Sequence, residues 1–194
     1  MKKTYITLLA MFLVLAVVGC SSSAQSPEKV RTDQCWAADP YTQTEKFAFT
    51  VDNIYVAEVV KKEKDIVKGV EIPQQKIRVK IIENIKGELP IDKEMFLYVN
   101  GGVTEDGKYE YDYGTESHLK SGDTYLFSGG VVSEKDAADV EPDEPSAAVG
   151  NAYVATAMEL PKEYKDSEIY IKWVKAYENM IPMSEWDKYP DLEP

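Results

Sequence analysis

The sequence predicts a mainly β fold: a small closed barrel of long bent strands, followed by a C-terminal α-helix. Three observations carry this reading. The stretch Gln74–Gly87 reads QQKIRVKIIENIKG, and Ile77, Val79 and Ile81 alternate there with Lys76, Arg78 and Lys80. A period of two marks a strand with one buried and one wet face. The phase then slips, because Ile82 follows Ile81 directly and Ile85 comes three later. A bulge or sharp bend at that point would turn both halves of a long strand onto one core, as a small barrel requires. Finally, Tyr170, Val174, Tyr177 and Ile181 recur at helical spacing with Ile169 and Trp173 beside them.

The 194 residues allow one domain plus appendages, and the 44% of hydrophobic residues can fill a core. Thirteen tyrosines, with many valines and isoleucines, favour strands over helices. The formal net charge is −12; without residues 1–19, which contain Lys2 and Lys3, it is −14. A field of that sign repels a phosphate backbone, so no nucleic-acid partner is expected. Anionic lipid headgroups are repelled too, so attachment to a membrane is expected to be covalent.

Residues 1–19 contain two lysines, a short apolar run and Gly19 just before Cys20. That order is expected of a secretory signal peptide, with an uncleaved N-terminal anchor as the alternative, and the apolar run is short for a spanning helix of ~20 residues. Residues 20–34 read as a flexible tether, with Ser21–Ser26 followed by Pro27. The domain is expected over 35–182 and a polar tail over 183–194. If Cys20 is modified, Cys35 has no intrachain partner and is expected as a free thiol. No basic cluster or histidine lies near Cys35 in sequence to activate it.

Phe47–Glu63 is apolar on both faces up to Lys61–Lys62, and reads as a central strand. Ile54, Val56 and Val60 lie on one face of it, Tyr55, Ala57 and Val59 on the other. It joins the Gln74 strand as a long hairpin across Gly69 and Pro73. Glu94–Asn100 is a third strand, closed by Gly101–Gly102. In Thr104–Ser117, Asp106–Gly107 is a hairpin turn, and Tyr109, Tyr111 and Tyr113 alternate with Glu110 and Asp112. A turn at Ser121–Asp123 leads into a strand at Tyr125–Ser128. Residues 134–144, with six acids and Pro142, read as a solvated loop. Asn151–Leu160 is strand again and Pro161 ends it. Asp166 or Ser167 can cap the following helix, and Pro182 stops it.

Catalytic signatures are missing: no G-x-S-x-G, P-loop, G-x-G-x-x-G or H-E-x-x-H string occurs. One histidine, His118, cannot build a zinc site of several imidazoles, and its strand neighbours Glu116 and Ser117 are poorly placed for a triad. Two candidate sites stand out. Tyr109, Tyr111 and Tyr113 form a stripe of flat, hydrogen-bonding contact area, suited to ligand binding or to packing under a loop or helix. Asp106, Glu110 and Asp112 are oxygen ligands that suit Ca²⁺, although they lack the spacing of a 12-residue EF-hand loop; a solvated acidic loop is the alternative. No cofactor is expected.

Val17-Val18-Gly19-Cys20 resembles a bacterial lipobox. That resemblance implies a diacylglyceryl group on the Cys20 thiol and a mature N-terminus at that residue. Three further pieces resemble the netrin-module and tissue-inhibitor-of-metalloproteinases family, in family order across residues 47–130. They are Phe49-x-x-Asp52-x-Ile54-Tyr55-x-Ala57-x-Val59, the Ile77-to-Gly87 strand, and Leu119-x-x-Gly122-x-x-Tyr125-Leu126-Phe127. The resemblance implies a five-stranded OB-like Greek-key barrel with a C-terminal α-helix packed beside it. Inhibitors of that family chelate a protease zinc through a free N-terminal cysteine in a Cys-x-Cys pair. Cys35 is internal and precedes Trp36-Ala37, so chelation does not carry over.

These readings lead to a lipid-anchored binding or interaction module at the extracytoplasmic face of the cell membrane, not an enzyme. Its expected partners are the membrane, through a lipid on Cys20, and a protein at the cell surface. The alternatives are an envelope enzyme with an unrecognised acidic site and a structural or stress-related surface lipoprotein.

Overall fold

A computed structural model describes residues 26–31, 39–67, 72–114, 118–132 and 151–188. Residues 1–19, read above as a signal peptide, Cys20, Cys35, Glu116, Ser117, the acidic run 134–144 and the last six residues lie outside them. The described chain is mainly β, in two sheets. Its strands are β1 (Glu28–Arg31), β2 (Asn53–Ile66), β3 (Gln74–Lys86), β4 (Glu94–Asn100), β5 (Gly102–Val103), β6 (Tyr109–Asp112), β7 (Thr124–Val132) and β8 (Asn151–Leu160). Helix α1 covers Thr44–Thr50 and helix α2 covers Glu168–Glu178.

The larger sheet contains β2, β3, β4, β8 and β7, and each of these strands pairs with two others. β2 lies antiparallel to β3 and to β7, β3 antiparallel to β4, and β7 antiparallel to β8; β4 and β8 run parallel. The phase slip at Ile81–Ile82 is a bulge. Val56 lies opposite Glu83 and Ala57 opposite Ile81, so Ile82 is the extra residue. A second bulge leaves out Ile85, between the Ile54–Lys86 and Tyr55–Asn84 pairs.

The bulges divide the apolar residues between two cores, where one was expected. Ile77, Val79 and Ile81 join Tyr55, Ala57 and Val59 on the inner side of the sheet. Ile82 and Ile85 instead pack against the cluster of Ile54, Val56, Leu126 and Trp173. The β3 residues therefore share a face with Tyr55, Ala57 and Val59, Val79 beside Val59 and Ile81 beside Ala57, rather than with Ile54 and Val56. Val60 is left over at a further bulge and is 36% exposed, which removes it from the Ile54–Val56 face.

Helices cover the second core. The start of the expected Phe47 strand is instead α1, with Phe47 and Ala48 fully buried. The Phe47 ring meets the edge of Trp173 from α2 at 5.8 Å. The Lys86 ammonium donates to the Ala48, Phe49 and Val51 carbonyls, so a cation satisfies the C-terminal end of α1. Desolvation holds the Lys86 ammonium below its usual range, and the charge of Asp52 partly offsets this. At the start of α2, the Ser167 hydroxyl accepts from the Tyr170 N–H at 3.3 Å, an N-cap.

Two boundaries differ from expectation. Glu28–Arg31 falls in the stretch read as tether, yet it forms a strand by pairing with β6. Met183–Lys188 falls in the expected polar tail, yet it forms a 3₁₀ turn. Its Trp186 packs against the second core and donates to the Ile181 carbonyl at 2.9 Å.

Candidate functional site

The candidate site is the smaller sheet, in the order β1–β6–β5, with the turn that joins β5 to β6. Gly101 and Gly102 both adopt positive φ where the chain leaves β4, a conformation that L side chains rarely take. The hairpin closes at Asp106–Gly107: the Gly107 N–H donates to the Thr104 carbonyl and the Thr104 N–H to the Tyr109 carbonyl, both at 2.9 Å. Asp106 holds the turn together. Its Oδ1 accepts from the Thr104 hydroxyl at 2.7 Å and from the Lys108 N–H at 3.1 Å, and its Oδ2 meets the Lys108 ammonium at 2.9 Å. The Thr104 hydroxyl, with the donors of Lys108, draws the Asp106 carboxyl down to about 2. The same pairing raises Lys108 above its ordinary range.

β1 lies parallel to β6, with Glu28 opposite Tyr109 and Val30 opposite Tyr111. The Glu28 N–H donates to the Lys108 carbonyl at 2.7 Å, so the chain enters the fold beside the Asp106–Gly107 turn. Side chains alternate along β6. Tyr109 and Tyr111 take one face; Glu110 and Asp112 take the other, with the Lys29 ammonium 4.0 Å from Glu110. Tyr109 is 41% exposed, while Tyr111 and Tyr113 are partly buried. None of the three belongs to either apolar core. A recess of about 370 Å³ opens beside Tyr109, lined by Ser26, Glu28, Asp106, Gly107, Lys108 and Tyr109.

The expected metal ligands are not brought together. The turn uses Asp106 as described. Glu110 faces Lys29, and Asp112 accepts from the Gly114 N–H at 2.9 Å and lies 3.2 Å from His118 Nε2. Among the described residues no group of three or more acids, histidines or cysteines is arranged to hold a metal ion. The reason is local: Asp106 belongs to a turn that satisfies its carboxylate internally, and Glu110 and Asp112, two residues apart on one strand, each meet a different neighbour, Lys29 and His118.

Two polar constellations escaped the sequence reading. The Glu83 carboxylate accepts from the Tyr164 and Tyr170 hydroxyls at 2.8 Å each, and Lys165 stands 3.5 Å away. Burial alone would raise this carboxyl, but the two hydroxyls and the lysine outweigh it and hold it below the usual range. The Tyr170 hydroxyl is pushed up to about 12 by burial and by the carboxylate. On the outer side of β3 and β4, the Lys76 ammonium lies 4.2 Å from the centre of the Phe96 ring. Lys76 is only 4% exposed, although alternation had put it on the wet face.

Among the described residues no helix is long and apolar enough to cross a membrane. The chain matches no protein-family model, and no curated protein matches it significantly.

Proposed function

We propose that this chain is a lipid-anchored binding module at the extracytoplasmic face of a cell membrane, built on an OB-like Greek-key barrel. The anchoring reading rests on the apolar run that ends in Gly19–Cys20. The barrel reading draws support from the pairing order β2–β3–β4–β8–β7 with β7 back on β2, and from the parallel β4–β8 pair. With the family resemblance it makes the chain netrin-module-like, without the inhibitors' chelating cysteine pair. No metal or cofactor enters this reading.

One observation carries the binding role: the Tyr109 edge. Its tyrosines stand outside both cores, and Tyr109 flanks a recess beside the Asp106–Gly107 turn that Glu28 meets. An exposed tyrosine gives contact area at small entropic cost. The test places a photo-crosslinking residue at Lys108 in cells. A discrete adduct that disappears with Tyr109→Ala, in a protein that melts like the parent, is the expected result. No adduct at Lys108 while controls on α2 behave identically would overturn the binding surface. An unmodified Met1 N-terminus by mass spectrometry of the membrane protein would overturn the anchoring.

A further inference from the structure

We infer that the Tyr109 edge seats on the zwitterionic phospholipid headgroups of the membrane that anchors the chain. This rests on the anchoring reading above and names the partner of the same surface.

The argument starts from covalent length. Cys20 and Glu28 are eight residues apart, which caps their separation at about 28 Å. A flexible chain of that length has an end-to-end distance of about 15 Å, whereas a folded body of this size has a radius of gyration of about 15 Å and a diameter more than twice that. The tether is therefore too short for the domain to present its far side to the bilayer freely. The end held nearest the membrane is the one where the chain enters. The parallel β1–β6 register puts that entry at Tyr109 and the Thr104–Lys108 turn.

The chemistry of that end suits a zwitterion. Tyr109 is exposed, and Glu28 is its register partner on β1, so the two share a face. Tyrosine sits well at the headgroup level, with its ring in the interface and its hydroxyl in water. In the recess, the Lys108 ammonium keeps its 2.9 Å contact with Asp106 Oδ2 and can meet a phosphodiester with a second N–H, while the Glu28 carboxylate, on the paired strand, can meet a headgroup ammonium. The mature charge of −14 weighs against an anionic surface. Weak contacts suffice here, because a covalent link of only eight residues holds the surface near the bilayer at an effective concentration in the millimolar range.

The experiment uses the full-length, lipidated protein in vesicles of phosphatidylcholine and phosphatidylethanolamine. A nitroxide is placed at Glu105→Cys in a Cys35→Ser background, with Lys175→Cys on α2 as the distal control. Mass spectrometry first establishes the acyl group on Cys20. The expected result is a several-fold lower collision rate with an aqueous nickel chelate at position 105 than at 175. That protection should fall with Tyr109→Ala, and as anionic lipid is added at low salt. With Cys20 acylated, equal aqueous access at 105 and 175 overturns the seating and leaves the anchoring and the binding surface standing. A crosslink from Lys108 to a protein rather than to lipid does the same. An unmodified Cys20 overturns the anchoring, and the seating with it.

Discussion

Tyr55 and Glu83 show how differently two polar groups can be held. The Tyr55 ring stacks on Phe127 at 5.6 Å inside the sheet, and its hydroxyl is buried with no hydrogen-bond partner among the described residues. Burial pushes that hydroxyl up strongly. An unmade buried hydrogen bond costs about 1–3 kcal/mol, so Tyr55→Phe should stabilise the protein by up to that amount and raise its melting temperature. A lower melting temperature would mean that the hydroxyl is satisfied in solution. Glu83 is the opposite case, with two hydroxyl donors on one carboxylate. Glu83→Ala should lose about 1–3 kcal/mol in denaturant titration. The pH dependence has a definite sign. The folded carboxyl is held below its unfolded value, so the unfolded chain takes up the proton more readily. The Glu83 contribution is therefore complete above the unfolded value of about 4.3 and is lost as pH falls through the lower folded value. In Glu83→Gln the acid-induced drop in melting temperature should be smaller than in the parent.

Among the elements, β3 concentrates the most information. Val79 is fully buried in the inner core, between its strand partners Val59 on β2 and Met95 on β4. Val79→Asp would bury an unpaired carboxylate and should cost on the order of several kcal/mol, enough to abolish a cooperative melt. An unchanged melt would mean that β3 presents its other face to the core. Ser167→Ala removes the N-cap of α2 and should cost about 1 kcal/mol, read as a loss of thermal stability. These elements also mark where the sequence was legible. Alternation located β3, and the doubled isoleucine located its bulge, because both are local signals. Alternation does not tell which of two cores receives Ile82, since a helical layer formed far along the chain decides that. Phe47, Phe49 and Val51 are strand-favouring residues, and the packing of Phe47 against Trp173, far along the chain, overrides that preference and makes the segment α1. β1 carries no apolar alternation in EKVR, and only the partner strand makes it a strand. The tyrosine stripe and the Asp106–Gly107 turn were readable from the sequence, but the recess was not, because Ser26 and Glu28 reach it from some eighty residues away in the chain.

At the scale of the molecule, the larger sheet works from both sides. β2 puts Tyr55, Ala57 and Val59 into the interior and Ile54 and Val56 under the helices. The smaller sheet has no such double cover. None of its described residues is fully buried; they range from partly buried to exposed. It is joined to the rest through Gly101–Gly102 and the chain after Asp112. Amide exchange should therefore be fast at Lys29, Val30 and Tyr111 and slowest at Val79, Leu97 and Phe127. Equal protection in the two sheets would show that the smaller one is covered in solution.

The parallel pairing of β1 with β6 also has a mechanical meaning. Any pull on the N-terminal end of the described chain reaches the folded body through four residues, Glu28 to Arg31, at the edge of the smaller sheet. A load that draws that end away from β6 peels the ladder one bond at a time, beginning at Glu28. The β2–β3 hairpin, with its far longer ladder, lies outside that path. β1 is thus a fuse: it opens first under tension, leaves the larger sheet whole, and can rewind onto β6 when the tension is released.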